Sequence, residues 1–195
     1  MIDNAFNFSL GAVGEAEAQE PARSVLAGAR ERTGMIPNMY SRMANAPALL
    51  QTYNDGYTRF RAEAGFTAAE QEVAFLTISH ENGCEYCVAA HSFLGDKASG
   101  VPTAVTDAIR EGRPGPDARL GALSTFVRHL VVTRGRPSQT HTTAFLAAGY
   151  TEVHILYLVL AIAVKTISNY SNHMFDTPLD QAFASRVYEH AAHAG

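Results

Sequence analysis

From about Glu20 onward, no stretch of this chain sustains the apolar/polar alternation of a half-buried strand. Apolar residues recur instead at helical spacing, as in Leu120, Leu123, Val127, Leu130 and Val131, which mark one core-facing stripe. Glycine and proline interrupt the pattern at Gly34 with Pro37, Pro47, Gly65, Gly83, Gly100 with Pro102, Gly112 to Pro116, Gly135 to Pro137, Gly149 and Pro178. Helices of roughly 10 to 20 residues fit between these breaks. Thr67 is a good N-cap, with Glu70 completing a capping box; Ser138 or Thr140, and Thr151, are candidates for later caps. The expectation is an all-α fold: a flexible N-terminal arm over residues 1–19, then a single helical domain over 20–195.

Sliding the chain along itself by 84 residues places Gly65-Phe66-Thr67 on Gly149-Tyr150-Thr151. The same offset places Cys84-Glu85-Tyr86-Cys87 on Ser168-Asn169-Tyr170-Ser171. This suggests half-repeats near 35–112 and 117–190, against the alternative of coincidence between two apolar helices.

The chain has 195 residues, enough for one sizeable core, and 47% of them are hydrophobic. A formal charge of −4 leaves no basic footprint for nucleic acid or an anionic membrane. No basic segment followed by an apolar stretch opens the chain, and the longest apolar run, Ile155 to Val164, is too short to span a bilayer. These features place the protein in the cytoplasm, with neither nucleic acid nor membrane as a partner. In that reducing compartment a Cys-x-x-Cys pair points to catalysis or metal binding.

Both cysteines of the chain fall in one stretch, His80-Glu81-Asn82-Gly83-Cys84-Glu85-Tyr86-Cys87-Val88-Ala89-Ala90-His91. With Asn82-Gly83 ending one helix and the next starting at about Cys84, the residues Cys84, Cys87, Val88 and His91 share a face. Positions three apart on a helix are about 5–6 Å apart, within the range of a disulfide. The helix N-terminus and His91 each favour a thiolate, the form that attacks peroxide oxygen or disulfide sulfur. Glu72, in the preceding helix, points toward the apolar side and calls for a partner; His91 or a cysteine thiol would serve. A solvated position at the edge of the stripe is the plainer alternative for Glu72, and Glu70 is accounted for by capping.

His80, Cys84, Cys87 and His91 also form a set of zinc-ligand types, although such sites usually draw ligands from two separated pieces of chain. His129 falls beside the apolar stripe, and His154 opens the apolar helix. His141, His190 and His193 read as surface positions, and His173 as part of a satisfied interior polar cluster. Phe6 and Phe8, or Tyr53 and Tyr57, are candidates to line a pocket, with core packing as the default.

Glu72, Cys84, Cys87 and His91 at these spacings resemble the signature of the AhpD-like, carboxymuconolactone decarboxylase superfamily. Gly34 to Met39, Ala46 to Leu50, Lys165 to His173 and Pro178 to Phe183 are similar to its peroxidase-related subgroup, so the likeness spans roughly residues 30–185. The resemblance implies an all-helical homo-oligomer, trimeric or hexameric, that reduces a small hydroperoxide without a bound cofactor. An external dithiol or reductase would supply the electrons. It further implies that Cys84 and Cys87 are the redox pair and Glu72 and His91 the proton relay. Cys87 meets peroxide in that scheme, whereas helix-dipole reasoning favours Cys84 as the more acidic thiol. Tyr86 stands where the alkylhydroperoxidase form has a histidine. The alternatives to a thiol peroxidase are a zinc- or redox-responsive structural protein and a carboxymuconolactone-type decarboxylase.

Overall fold

Each expected break falls between helices or, at Pro47, on the first residue of one. The structure, a computed structural model, describes Phe6 and residues 8–190. Among these residues the chain forms α1 (Ala22–Thr33), α2 (Asn38–Met43), α3 (Pro47–Glu63), α4 (Ala68–Glu81), α5 (Glu85–Ala98), α6 (Thr103–Arg110), α7 (Ala118–Val132), α8 (Gln139–Ala147) and α9 (Glu152–Phe175). A 3-10 helix, Gln181–Arg186, follows, and no strand occurs among the described residues. The fold is all-α.

Local chemistry sets the helix starts. The Thr67 hydroxyl accepts from the Glu70 N–H, and the Glu70 carboxylate accepts from the Thr67 N–H, which closes the capping box of α4. Glu70 is buried and also receives Arg119 and Tyr150, so the same side chain ties α4 to α7 and to the start of α9. Ser138, and not Thr140, caps α8; Thr151 caps α9 with His154. Gly83, at a φ of 69°, turns the chain from α4 into α5, a conformation that an L side chain rarely adopts.

Helix α4 is the centre of the molecule. Glu70 through Ser79 are all buried, because α5, α6, α7 and α9 pack around it. Leu123, Val127 and Leu130 of the expected stripe are buried, with Leu120 and Val131 half-buried at its edges. Helix α9 crosses α3 closely at Gly56, where an added Cβ would lie 2.5 Å from Cγ1 of Val164. That close approach sets the depth at which α9 delivers the next residue, Lys165.

The apolar run Ile155 to Val164 is only part of α9, which extends to 24 residues. It is long and apolar enough to cross a bilayer by length and composition alone, yet it packs on α2, α3, α4 and α5 and turns a polar face inward. Residues 8–19 form no helix and are tied down at several points. The Phe8 N–H donates to Met174 and the Val13 N–H to Ser41, and Ala18 is buried. His193 lies outside the described residues.

Candidate active site

The Asn82-Gly83 turn determines how the two cysteines differ. Cys84 has extended backbone and is the N-cap of α5, with its carbonyl accepting from the Val88 N–H. It therefore precedes the helix that carries Cys87 and His91, while its sulfur and that of Cys87 meet the same Asn172 amide. Cys87 sits in the first turn and His91 one turn further on. Both thiols are free and buried. Only Cys87 reaches a cavity of about 530 Å³.

Glu72, Cys84, Cys87 and His91 come together, but in an order that spacing did not show. His91 Nδ1 lies 2.8 Å from Oε2 of Glu72, and the other Glu72 oxygen accepts from Arg61. Burial opposes ionisation of Glu72, but the bond from His91 and the Arg61 charge hold its carboxyl below the usual range. As a carboxylate it can only accept, so His91 carries its proton on Nδ1. The Nε2 lone pair then faces the Nζ of Lys165, 2.9 Å away, which donates to it. Burial and the Lys165 charge push the His91 pKa below its ordinary value, so the imidazole is neutral at pH 7.

Lys165 is the residue the sequence reading missed. It is 1% exposed, its Nζ lies 2.9 Å from His91 Nε2, and its charge acts on the nearby Cys87 sulfur. Burial works against ionisation of Cys87, but the Cys84 thiol donating to it and the Lys165 ammonium outweigh burial. Together they hold Cys87 well below the usual thiol range. Burial, and the loss of that donated proton, push Cys84 well above it. The Asn172 amide lies 3.3 Å from the Cys87 sulfur and 3.7 Å from that of Cys84, so one donor spans both.

Lys165, Ser168, Asn169 and Asn172 recur at i, i+3, i+4 and i+7, and this polar stripe within an apolar helix was the available signal. All four are buried. His173, one position beyond the stripe, is exposed and stacks on Tyr170 instead of joining the interior cluster. Arg61 was likewise missed. Its guanidinium lies over the Tyr57 and Phe75 rings, 4.8 Å from each centroid, and also binds Tyr57 and Gln71.

The zinc-ligand set does not assemble. His80 pairs with Glu81 and packs near Tyr188 and His190. Among the described residues no group of three or more His, Cys, Asp or Glu could hold a metal ion. His129 and His141 stack on each other at 3.8 Å, which leaves His141 half-buried; His190 is half-buried as well.

Tyr53 and Tyr57 line the cavity as well as packing on each other. Phe8 packs instead on Phe175, and Phe6 is exposed. Tyr86, between the cysteines, closes one side: its hydroxyl donates to Asp180, which also accepts from the Asn38 N–H. That clasp fixes the start of the 3-10 helix, whose Ala182 and Phe183 complete the wall.

Glu72→Gln is expected to destabilise the protein by about 2–3 kcal/mol, below the full penalty of an orphaned buried charge because Arg61 is partly exposed. It is also expected to slow any Cys87 chemistry by about 10²-fold through loss of the His91 orientation. Urea unfolding at pH 7 and rates at matched folded fraction read the two effects separately.

No model of a known protein family matches the chain, and no curated protein matches it in sequence. Solved structures match its fold over most of its length. An uncharacterised peroxidase-related protein from Ralstonia eutropha JMP134, with an alkylhydroperoxidase AhpD core, superimposes with a TM-score of 0.79 at 18% identity, covering 89% of this chain and 93% of that one. A peroxidase-related protein from Silicibacter sp. TM1040 gives 0.76 at 15%, over 94% and 96%. The debrominase Bmp8, in a complex with 2,3,4-tribromopyrrole, gives 0.75 at 16%, over 94% and 97%. The chain has the AhpD-like fold.

Proposed function

We propose that this protein is a thiol peroxidase in which Cys87 is the peroxide-reactive residue and Cys84 the resolving one. The observation that carries this reading is the buried Cys87 sulfur, which alone of the two faces the cavity and is paired there with Lys165. The Cys87 thiolate attacks the terminal oxygen of a hydroperoxide, the O–O bond breaks, and the leaving alkoxide takes a proton from the Lys165 ammonium. Cys87 is then a sulfenic acid. Cys84 gives its proton to the now neutral Lys165 and attacks the Cys87 sulfur. The S–S bond forms, and hydroxide leaves as water with that proton. An external dithiol reduces the disulfide and returns protons to Cys84 and Lys165. In sum, one hydroperoxide and two thiols give one alcohol, one water and one disulfide.

Glu72 and His91 act through Lys165 in this scheme. The carboxylate fixes the tautomer, and the neutral imidazole holds the ammonium against Cys87. Asn172 keeps both sulfurs within reach of one donor. Catalytic consumption of cumene hydroperoxide with dithiothreitol as reductant tests the reading. Consumption no faster than dithiothreitol alone would contradict it. Decarboxylation of a lactone acid, by contrast, would survive replacement of both cysteines.

A second reading is favoured by the aromatic walls from Tyr53, Tyr57 and Phe183. The same thiolate would remove bromine from a flat aryl bromide. The ring carbon would gain a proton, Cys84 would displace bromide from Cys87 sulfur, and the pair would close as a disulfide. Bromide release from a bromopyrrole, compared with cumene hydroperoxide turnover, separates the two reactions.

The reading places the protein in a reducing cytoplasm, where dithiol reductants are available. It also includes a homo-oligomer, trimeric or hexameric. Support comes from the outer face of α9, where Val153, Leu156, Val159, Tyr170 and Met174 are exposed, Leu156 to 70%. Light scattering on the purified protein distinguishes those assemblies from a monomer.

A further inference from the structure

The cavity wall contains three cations, Arg32, Arg61 and Lys165, and no Asp or Glu among the described residues. Two of these charges are already matched. Arg61 binds Glu72, and Lys165 faces Cys87. Arg32 is different: it is exposed at the cavity mouth and has no hydrogen bond or ion pair among the described residues. Arg30, two residues earlier on α1, is held by Glu15 at 2.9 Å, so the neighbouring basic position is satisfied and this one is not. The same wall carries the apolar and aromatic side chains of Met35, Tyr40, Tyr53, Phe93 and Phe183. A volume of about 530 Å³ is in the range that takes a whole organic molecule.

We propose that the substrate of this cavity is an amphiphile bearing a carboxylate, with the carboxylate held by Arg32 at the mouth and the reactive group at Cys87. This deepens the thiol-peroxidase reading by naming its substrate class, an apolar hydroperoxide with an acidic far end. One guanidinium fork suits a monoanionic carboxylate, which it grips through two parallel N–H···O bonds. Hydrogen peroxide would use neither the aromatic wall nor Arg32.

The experiment uses two pairs of molecules, each an acid and its uncharged methyl ester. Binding to the reduced protein is measured by calorimetry with the hydroxy acid derived from linoleic acid hydroperoxide and with its methyl ester, both below their aggregation concentrations. Turnover is measured with the corresponding hydroperoxides. The acid is expected to bind about tenfold more tightly than the ester, the size of one charge-assisted contact. In Arg32→Gln that ratio should collapse toward one, and Arg32→Lys should restore part of it; in turnover the same ratio should appear in KM. An acid that binds no better than its ester, or a ratio unmoved by Arg32→Gln, would overturn the proposal. Binding is read without turnover. Acid-selective binding with no hydroperoxide consumption would therefore remove the peroxidase reading and leave the carboxylate site standing. Fast but charge-blind consumption would do the reverse.

Discussion

Cys87→Ser is expected to lower hydroperoxide consumption by about 10³-fold or more, because it removes the nucleophile itself. Cys84→Ser should behave differently. It leaves Cys87 facing the cavity with Lys165 beside it, so one equivalent of hydroperoxide should still be consumed rapidly. The reaction then stops at a Cys87 sulfenic acid, a gain of about 16 Da that dimedone traps. Stopped-flow peroxide loss and intact mass together check this asymmetry. The outcome that would reverse the roles is a sulfenic acid on Cys84 in the Cys87→Ser protein. Burial opposes that outcome by pushing the Cys84 thiol up, and Cys84 does not line the cavity.

The second large effect is expected at Lys165. Lys165→Met removes the cation that lowers the Cys87 pKa and replaces it with an apolar side chain of similar length. Without that charge only the Cys84 thiol and His91 are left to oppose burial, and the Cys87 pKa rises. In the wild type the thiolate exists above its lowered pKa, so alkylation by iodoacetamide should persist to lower pH than for an ordinary thiol. In the variant the acid limb should move upward, and alkylation at pH 7 should slow by about tenfold for each pH unit by which that limb passes 7. Loss of the proton donor to the leaving alkoxide adds about 10²-fold for peroxide but nothing for iodoacetamide. Lys165→Arg keeps the charge and should keep the alkylation profile near that of the wild type. Superimposable profiles for the wild type and Lys165→Met would remove Lys165 from the site.

These two effects also show what the sequence made legible. The all-α fold could be read because its signals are local: helical spacing, glycine and proline at the breaks, and a capping box at Thr67 and Glu70. The meeting of Glu72 with His91 was within reach too, since a carboxylate aimed into a core needs a partner and few were available. Lys165 was not legible in the same way. A single lysine in a long apolar helix reads as a solvated interruption, and only the crossing of α9 over α3 and α4 shows that it is buried 74 residues away from its partner His91. The polar stripe of Lys165, Ser168, Asn169 and Asn172 was visible in retrospect, and it would have turned His173 outward. Arg61 escaped for a related reason. It reaches Glu72 across the turn between α3 and α4, where the Gln71 amide bonds to the carbonyls of Arg61 and Phe66 and sets the geometry.

The helix-dipole argument placed Cys84 at the helix N-terminus, and it is indeed the N-cap of α5. Its thiol receives no capping hydrogen bond from the helix, however, and burial together with the neighbouring Cys87 outweighs the dipole. The face shared by Cys87 and His91 is real, yet the two residues communicate through the Lys165 ammonium. A side chain 78 residues downstream of Cys87 thus does what local spacing assigned to the imidazole.

The central claim is that hydroperoxide drives Cys84 and Cys87 into one intramolecular disulfide, and thiol titration with intact mass tests it most directly. Reduced protein is treated with one equivalent of cumene hydroperoxide, and both readings are taken before and after. The expected result is loss of both thiols with a mass decrease of about 2 Da, reversed by dithiothreitol. Two thiols that persist at unchanged mass would contradict the account.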